Sequence, residues 1–180
     1  MKAVIDASSL MILARVDALE TLSHIYGPVA VTDAVFSEVV VEGKKLGKTD
    51  AWLVEAALEK GTLSRVSLTS EERALVQEYR RDYPVLGRGE WEAMACAEKR
   101  KWLLIVEERK ARALARIRSL RYTIAQTVPV EGYLAGKVAY DDAILLLKRV
   151  GAAMNTDPAV LNALTAALAA VEEARGERKR

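Results

Sequence analysis

The chain has 180 residues, 51% hydrophobic and 29% charged, a balance that supports one compact core and argues against disorder through most of its length. A single cysteine, Cys96, and a single histidine, His24, exclude an intrachain disulfide, a Cys/His zinc cage and a histidine-ligated metal cluster. The 27 Lys and Arg against 25 Asp and Glu leave a net charge of +2, so only uneven placement of the cations could mark a nucleic-acid partner.

Lys2 to Ile5 is a short, mostly apolar run ending at Asp6, and Ser8 to Leu19 carries apolar residues at helical spacing, which predicts strand then helix. An acid this early interrupts any signal-peptide core, and no apolar run approaches the roughly 20 residues of a membrane span; a cytoplasmic protein without membrane association is expected. Val29 to Val31 follows Gly27-Pro28 as a second strand, with Thr32 or Asp33 capping a helix over Ala34 to Val41. Gly43 to Thr49 breaks the pattern, Asp50 caps a helix to Lys60, and Thr62 to Leu68 alternates as an edge or half-buried strand. Thr69 and Glu72 form a capping box for a helix over Ser70 to Arg81, which Tyr83-Pro84 stops.

Gly87-Arg88-Gly89 reads as a loop, Glu90 to Arg100 as a helix, and Trp102 to Val106 as a buried parallel strand followed directly by Glu107-Glu108. A basic helix over Lys110 to Ser119, a strand over Tyr122 to Ala125 and a short helix over Val130 to Ala135 come next. Asp141 or Asp142 caps a helix to Val150, and Asp157-Pro158 opens a last one through Ala174. This order predicts an α/β protein: a three-layer α/β/α sandwich with a mainly parallel central sheet and extra C-terminal helices. It divides into a core over 1–127, a helical extension of the same domain over 128–174 and a basic tail over 175–180.

Two glycine motifs fail on counting. Gly43 to Thr49 is one residue short of a phosphate loop and follows a helix, while Gly87-x-Gly89 lacks the third glycine of a dinucleotide site. His24 reads as structural, and Cys96, among alanines, as a small buried thiol.

The acids carry more information. In an open parallel sheet, residues at the carboxyl ends of strands project into a shared crevice, and Asp6 holds such a position. Glu38 stands in the first turns of the helix after the second strand, Glu90 at the start of the helix leading into the Trp102 strand, and Glu108 at the start of the helix after it. Glu90 and Glu92 are about 200° apart on a helix, so at most one of them faces a given cleft. Glu107 and Glu108 also read as ordinary N-terminal helix acids, and Asp6 as a helix cap. Converging carboxylates repel, and a hard divalent cation bound through oxygen, Mg²⁺ or Mn²⁺, would offset that repulsion. Arg109, Arg112 and Arg116 recur at i, i+3 and i+7 beside the acid pair, with Lys110, Arg118 and Arg121 nearby, where they would guide an RNA backbone or form a solvated face.

Four pieces in order, Val4-Ile5-Asp6-Ala7-Ser8, Thr32-Asp33-Ala34-Val35-x-x-Glu38-Val39, Gly89-Glu90-Trp91-Glu92-Ala93 and Leu103 to Arg112, resemble the successive motifs of PIN-domain proteins over residues 2 to 125. The G-E-x-E-A and acid-acid-x-x-A-R segments are most similar to a prokaryotic branch related to VapC-type toxins. The resemblance implies a Mg²⁺- or Mn²⁺-dependent ribonuclease whose catalytic and metal-binding acids fall on Asp6, Glu38, Glu90 and Glu108. Glu92, Glu107 and the hydroxyl of Ser8 are further candidates. It also implies an RNA substrate, a homodimer and an antitoxin-like protein partner. Where the branch usually carries Asp-Asp, this chain has Glu107-Glu108, and Ile124 to Pro129 lacks the branch's glycine-threonine turn. The alternative is a catalytically weak PIN-like module that binds RNA or protein.

Overall fold

A computed structural model describes residues 2–177; the last three residues of the expected basic tail lie outside the described residues. Five parallel strands form one sheet in the order β3-β2-β1-β4-β5. They are β1 Ala3–Ile5, β2 Val29–Thr32, β3 Leu63–Val66, β4 Leu103–Ile105 and β5 Tyr122–Thr123. The three central strands are buried on both faces, which is why they read as continuous apolar runs rather than alternating ones. The expected edge strand is β3, whose burial is only partial.

Alternate strand residues feed two cores, because successive side chains point to opposite faces. Ala3, Ile5, Val29, Val31, Leu103 and Ile105 pack with helices α1 (Ala7–Arg15), α2 (Leu19–Tyr26) and α5 (Thr49–Glu59). Val4, Ala30 and Leu104 pack on the other face with α6 (Ser70–Asp82), α7 (Arg88–Arg100) and α8 (Arg109–Ile117). The result is the expected α/β/α sandwich, with an entirely parallel sheet. Helices α9 (Val128–Leu134), α10 (Tyr140–Ala153) and α11 (Pro158–Glu177) follow the sheet. Leu146 and Val150 of α10 enter the first core, while Tyr133, Ala143, Leu147 and Leu168 form a third cluster. No helix among the described residues is long and apolar enough to cross a membrane.

The structure corrects several boundaries. Residues 19–26 form a separate helix, because Asp17 takes a left-handed backbone (φ 58°) and ends α1 near Arg15. Arg88 and Gly89 are helical rather than a loop, with Gly87 as the N-cap of α7. The helix after β2 runs on as α3 (Asp33–Phe36), a wide π-helical segment (Ser37–Glu42) and α4 (Gly43–Lys45). Gly43 is needed there, since a Cβ would stand 2.9 Å from the Ala51 Cβ and hold α4 and α5 apart. Lys48 and Ala139 occupy the N-cap positions assigned to Asp50 and to Asp141 or Asp142. Asp50 is buried in the first turn of α5 and accepts from Arg15 Nε at 2.8 Å. The capping box stands as expected: the Glu72 N–H donates to Thr69 Oγ1 at 3.2 Å, and the Thr69 N–H to Glu72 Oε2 at 2.7 Å.

Candidate active site

Strand order reverses between β1 and β4: from β1 the chain builds outward through β2 to β3, then returns to lay β4 and β5 on the other side. Crevices open beyond the carboxyl ends of strands at such a switch point. Asp6 is placed there by the ladder itself. Its N–H donates to the Ile105 carbonyl at 3.0 Å, one step past the Ile5–Ile105 pair. The side chain is fully buried and does two backbone tasks, accepting from the Ser9 N–H at 2.7 Å through Oδ1 and from the Glu107 N–H at 3.0 Å through Oδ2. Asp6 is therefore a helix cap and a cleft acid at once, two readings that the sequence alone sets against each other.

Glu38 and Glu90 reach the same place from α3's continuation and from α7. Glu38 is exposed at the rim, and its Oε2 stands 3.3 Å from where a Cβ on Gly89 would be. The Glu90 Oε2 stands 2.6 Å from the corresponding position on Gly87, so both glycines of this turn leave room for carboxylates. Glu92 faces elsewhere, as its position on the helix requires. It is buried, accepts from the Ala34 N–H at 2.8 Å and from Arg88 Nε at 3.0 Å, and so clamps the start of α3 onto α7.

The two acids after β4 take different partners. Glu108 is the N-cap of α8, and its Oε2 accepts from the Lys110 and Ala111 N–H groups. Glu107 is half-buried, and Oε1 accepts from the Ala125 N–H at 2.7 Å. Ala125 in turn begins a short 3-10 turn (Ala125–Thr127) fixed by Glu131, which accepts from Thr123, Thr127 and, at 2.5 Å, the Tyr26 hydroxyl. Ser8 is half-buried and its neighbour Ser9 is the residue bonded to Asp6.

Four carboxylates sense one another. Burial pushes Asp6 above the ordinary aspartate range, hydrogen bonds from Ser9 and Glu107 pull it back, and the charge of Glu90 adds to the rise. Glu38 is raised by desolvation and then by Glu90 and Asp6, with Lys48 opposing. Glu107 is raised by burial, lowered by its bond from Ala125, raised again by Asp6 and lowered by Arg112. None of the four has an ion-pair partner among the described residues. Elsewhere, acids are neutralised: Glu72 binds Arg100 at 2.6 Å, and Glu98 binds Arg118 at 2.8 Å.

This donor set suits a hard divalent ion in chemistry, being all oxygen with lone pairs to spare, since a carboxylate offers about four acceptor sites and Asp6 uses two. Among the described residues, no group of three or more His, Cys, Asp or Glu side chains is placed to hold a metal ion. Glu38 and Glu90 sit on long, rotatable side chains, whereas Asp6 and Glu107 are tied to backbone N–H groups. Among the described residues, three buried side-chain polar atoms lack a hydrogen-bond partner: the Ser9 hydroxyl, the Thr32 hydroxyl at the end of β2, and Arg112 Nε on α8.

Of the expected RNA-guiding cations, Arg109, Lys110 and Arg116 are exposed on α8. Arg118 is committed to Glu98 and Glu78, and Arg121 donates to the Lys101 carbonyl at 2.7 Å. His24 is exposed on α2, beside a surface depression rather than in the acid cleft. Cys96 is buried, with its thiol pushed up to about 12 by desolvation, as a structural thiol should be.

An all-parallel α/β/α sandwich whose unpaired carboxylates gather at the topological switch point defines a class of acid-cleft proteins. A family model described as DUF3368, a PIN domain, matches residues 2–125, and the chain belongs to the PIN-domain family. PIN domains are commonly nucleases and typically use divalent metals. No curated protein matches the chain.

Proposed function

We propose that the protein is a divalent-metal-dependent endoribonuclease that hydrolyses RNA phosphodiester bonds, with Asp6, Glu38, Glu90 and Glu107 holding Mg²⁺ or Mn²⁺. The observation that carries this reading is that these four acids share one cleft without an ion pair, and burial and mutual repulsion raise Asp6, Glu38 and Glu107. A divalent cation held by these acids would offset their charge and would supply the Lewis-acid chemistry that phosphodiester hydrolysis needs. The chain's own contribution is placement. Backbone N–H groups fix Asp6 and Glu107, the Glu92 clamp sets α3 against α7, and α8 presents Arg109, Lys110 and Arg116 to an incoming RNA backbone. Glu107 is taken into the acid set ahead of Glu108 because its carboxylate and that of Asp6 act on each other, while Glu108 caps α8.

The acid motifs resemble those of the VapC-like branch, and a toxin role, an antitoxin-like protein partner and a homodimer are the finer parts of the proposal. The second reading, a catalytically weak PIN-like module binding RNA or protein, is favoured by two observations: both Asp6 oxygens already accept hydrogen bonds, and among the described residues no group of three or more such side chains is placed to hold a metal ion. Calorimetric titration of Mn²⁺, with cleavage of a mixed RNA pool by wild type and Asp6→Asn, separates the two. The nuclease reading expects Mn²⁺ binding and cleavage in wild type, with cleavage reduced in the variant by more than the roughly 10–100-fold typical of a residue that only supports a ligand. Intact RNA and no heat of Mn²⁺ binding would leave the module.

A further inference from the structure

Arg112 is the exception among the sheltered arginines. Arg100 is chelated by Glu72 through Nε and Nη2, at 2.6 and 2.8 Å, and Arg118 by Glu98 at 3.1 and 2.8 Å. Arg112 is half-buried as they are, yet its guanidinium makes no hydrogen bond or ion pair among the described residues, and Nε is both buried and unpartnered. A buried N–H without an acceptor is costly, so its retention asks for an acceptor that the described residues do not supply. The location says which kind. Arg112 lies one turn into α8, its backbone N–H bonded to the Glu108 carbonyl at 3.0 Å, and its charge is felt by Glu107. The Thr32 hydroxyl, also buried and without a hydrogen-bond partner among the described residues, is set level with Asp6 by the Val4–Ala30 register. A planar fork of donors next to anionic side chains that it does not chelate is matched by a tetrahedral anion, for which guanidinium geometry is suited.

We propose that Arg112 is a catalytic residue that binds the scissile phosphodiester of RNA at the acid cleft and stabilises the negative charge growing on its non-bridging oxygens. This rests on the nuclease reading of the cleft. In the hydrolysis, the water oxygen forms a bond to phosphorus and the bond from phosphorus to the leaving ribose oxygen breaks. One proton of the water is lost to solvent and the leaving oxygen takes one up. Arg112 keeps its own protons throughout and supplies hydrogen bonds only.

The test compares wild type, Arg112→Gln, Arg112→Lys and the exposed-site control Arg80→Gln. Thermal melting, Mn²⁺ calorimetry and single-turnover cleavage of a labelled pool of random-sequence single-stranded RNA are measured on each. Expected are wild-type melting and Mn²⁺ affinity in Arg112→Gln with a cleavage rate lower by ~10²–10³-fold at saturating RNA, the loss typical of one charge-stabilising donor, and partial recovery in Arg112→Lys. Undiminished cleavage by Arg112→Gln overturns the proposal, as does a loss that appears only as weakened Mn²⁺ binding. If Arg112→Gln fails to fold, Arg112→Lys decides alone: a rate fall at unchanged Mn²⁺ affinity supports the role, and wild-type kinetics overturns it. If wild type leaves the pool intact, the nuclease reading fails on its own, and anisotropy titration with the same RNA judges Arg112 as a phosphate contact. Weaker binding by Arg112→Gln than by Arg80→Gln then supports that contact, and equal binding overturns it.

Discussion

Single residues decide which carboxylate does what. Glu107 and Glu108 are adjacent and chemically identical, yet Glu107 accepts from the distant Ala125 N–H and Glu108 from the first N–H groups of its own helix, as an N-cap does. Glu108→Ala is therefore expected to lower stability by about 0.5–2 kcal/mol and leave Mn²⁺ affinity unchanged, whereas Glu107→Ala weakens Mn²⁺ binding; chemical denaturation and calorimetry distinguish them. Glu38 gives the pH prediction. Its carboxyl is raised in the folded state, so above that raised value the fold carries a charge it disfavours, and as pH falls toward the ordinary glutamate value of 4.5 the penalty is relieved. Metal-free Glu38→Gln should consequently melt higher than wild type at neutral pH, with the difference shrinking as pH falls to that value. A difference independent of pH would deny the repulsion.

Elements hold these residues in register. The start of α3 is pinned to α7 by the buried Glu92, and the mostly exposed Arg88 adds little to that bond. Glu92→Ala strands the Ala34 N–H and is expected to cost ~1–3 kcal/mol in urea denaturation, and to weaken Mn²⁺ binding although Glu92 is outside the proposed metal-holding set. Retained Mn²⁺ affinity with the stability loss would make the clamp purely structural. At this scale much was legible in the chain. The capping box at Thr69 and Glu72, the buried β4 run and the acid after β1 all follow from local chemistry that the structure repeats. Helix α2 was not legible, because its N-cap Ala18 offers no side-chain bond. The choice between Glu107 and Glu108 was not either, since it depends on Asp6 and Ala125, 101 and 18 residues distant. Arg112 could be placed on a basic face by spacing, but that its guanidinium goes unchelated is a fact of packing alone.

For the whole molecule, the C-terminal helices are part of the core that supports the sheet. Val128, Leu146 and Val150 pack in the same cluster as Ile5 and Leu10, and burying each such side chain is worth roughly 1.5–3 kcal/mol. A chain ending at Thr127 forfeits a sum comparable to the 5–15 kcal/mol that typically separates folded from unfolded states. It is expected to lose its cooperative melt and bind a hydrophobic dye, and a sharp transition near that of the full chain would show the sheet self-sufficient. The family match ends at Ala125, the residue whose N–H restrains Glu107, and the Glu131 that anchors this turn lies beyond it. One lip of the cleft is thus tethered from outside the shared core. Relatives that keep the matched acids but end their chains differently need another mooring for that lip, and can differ in how firmly it is held while reading alike in every motif.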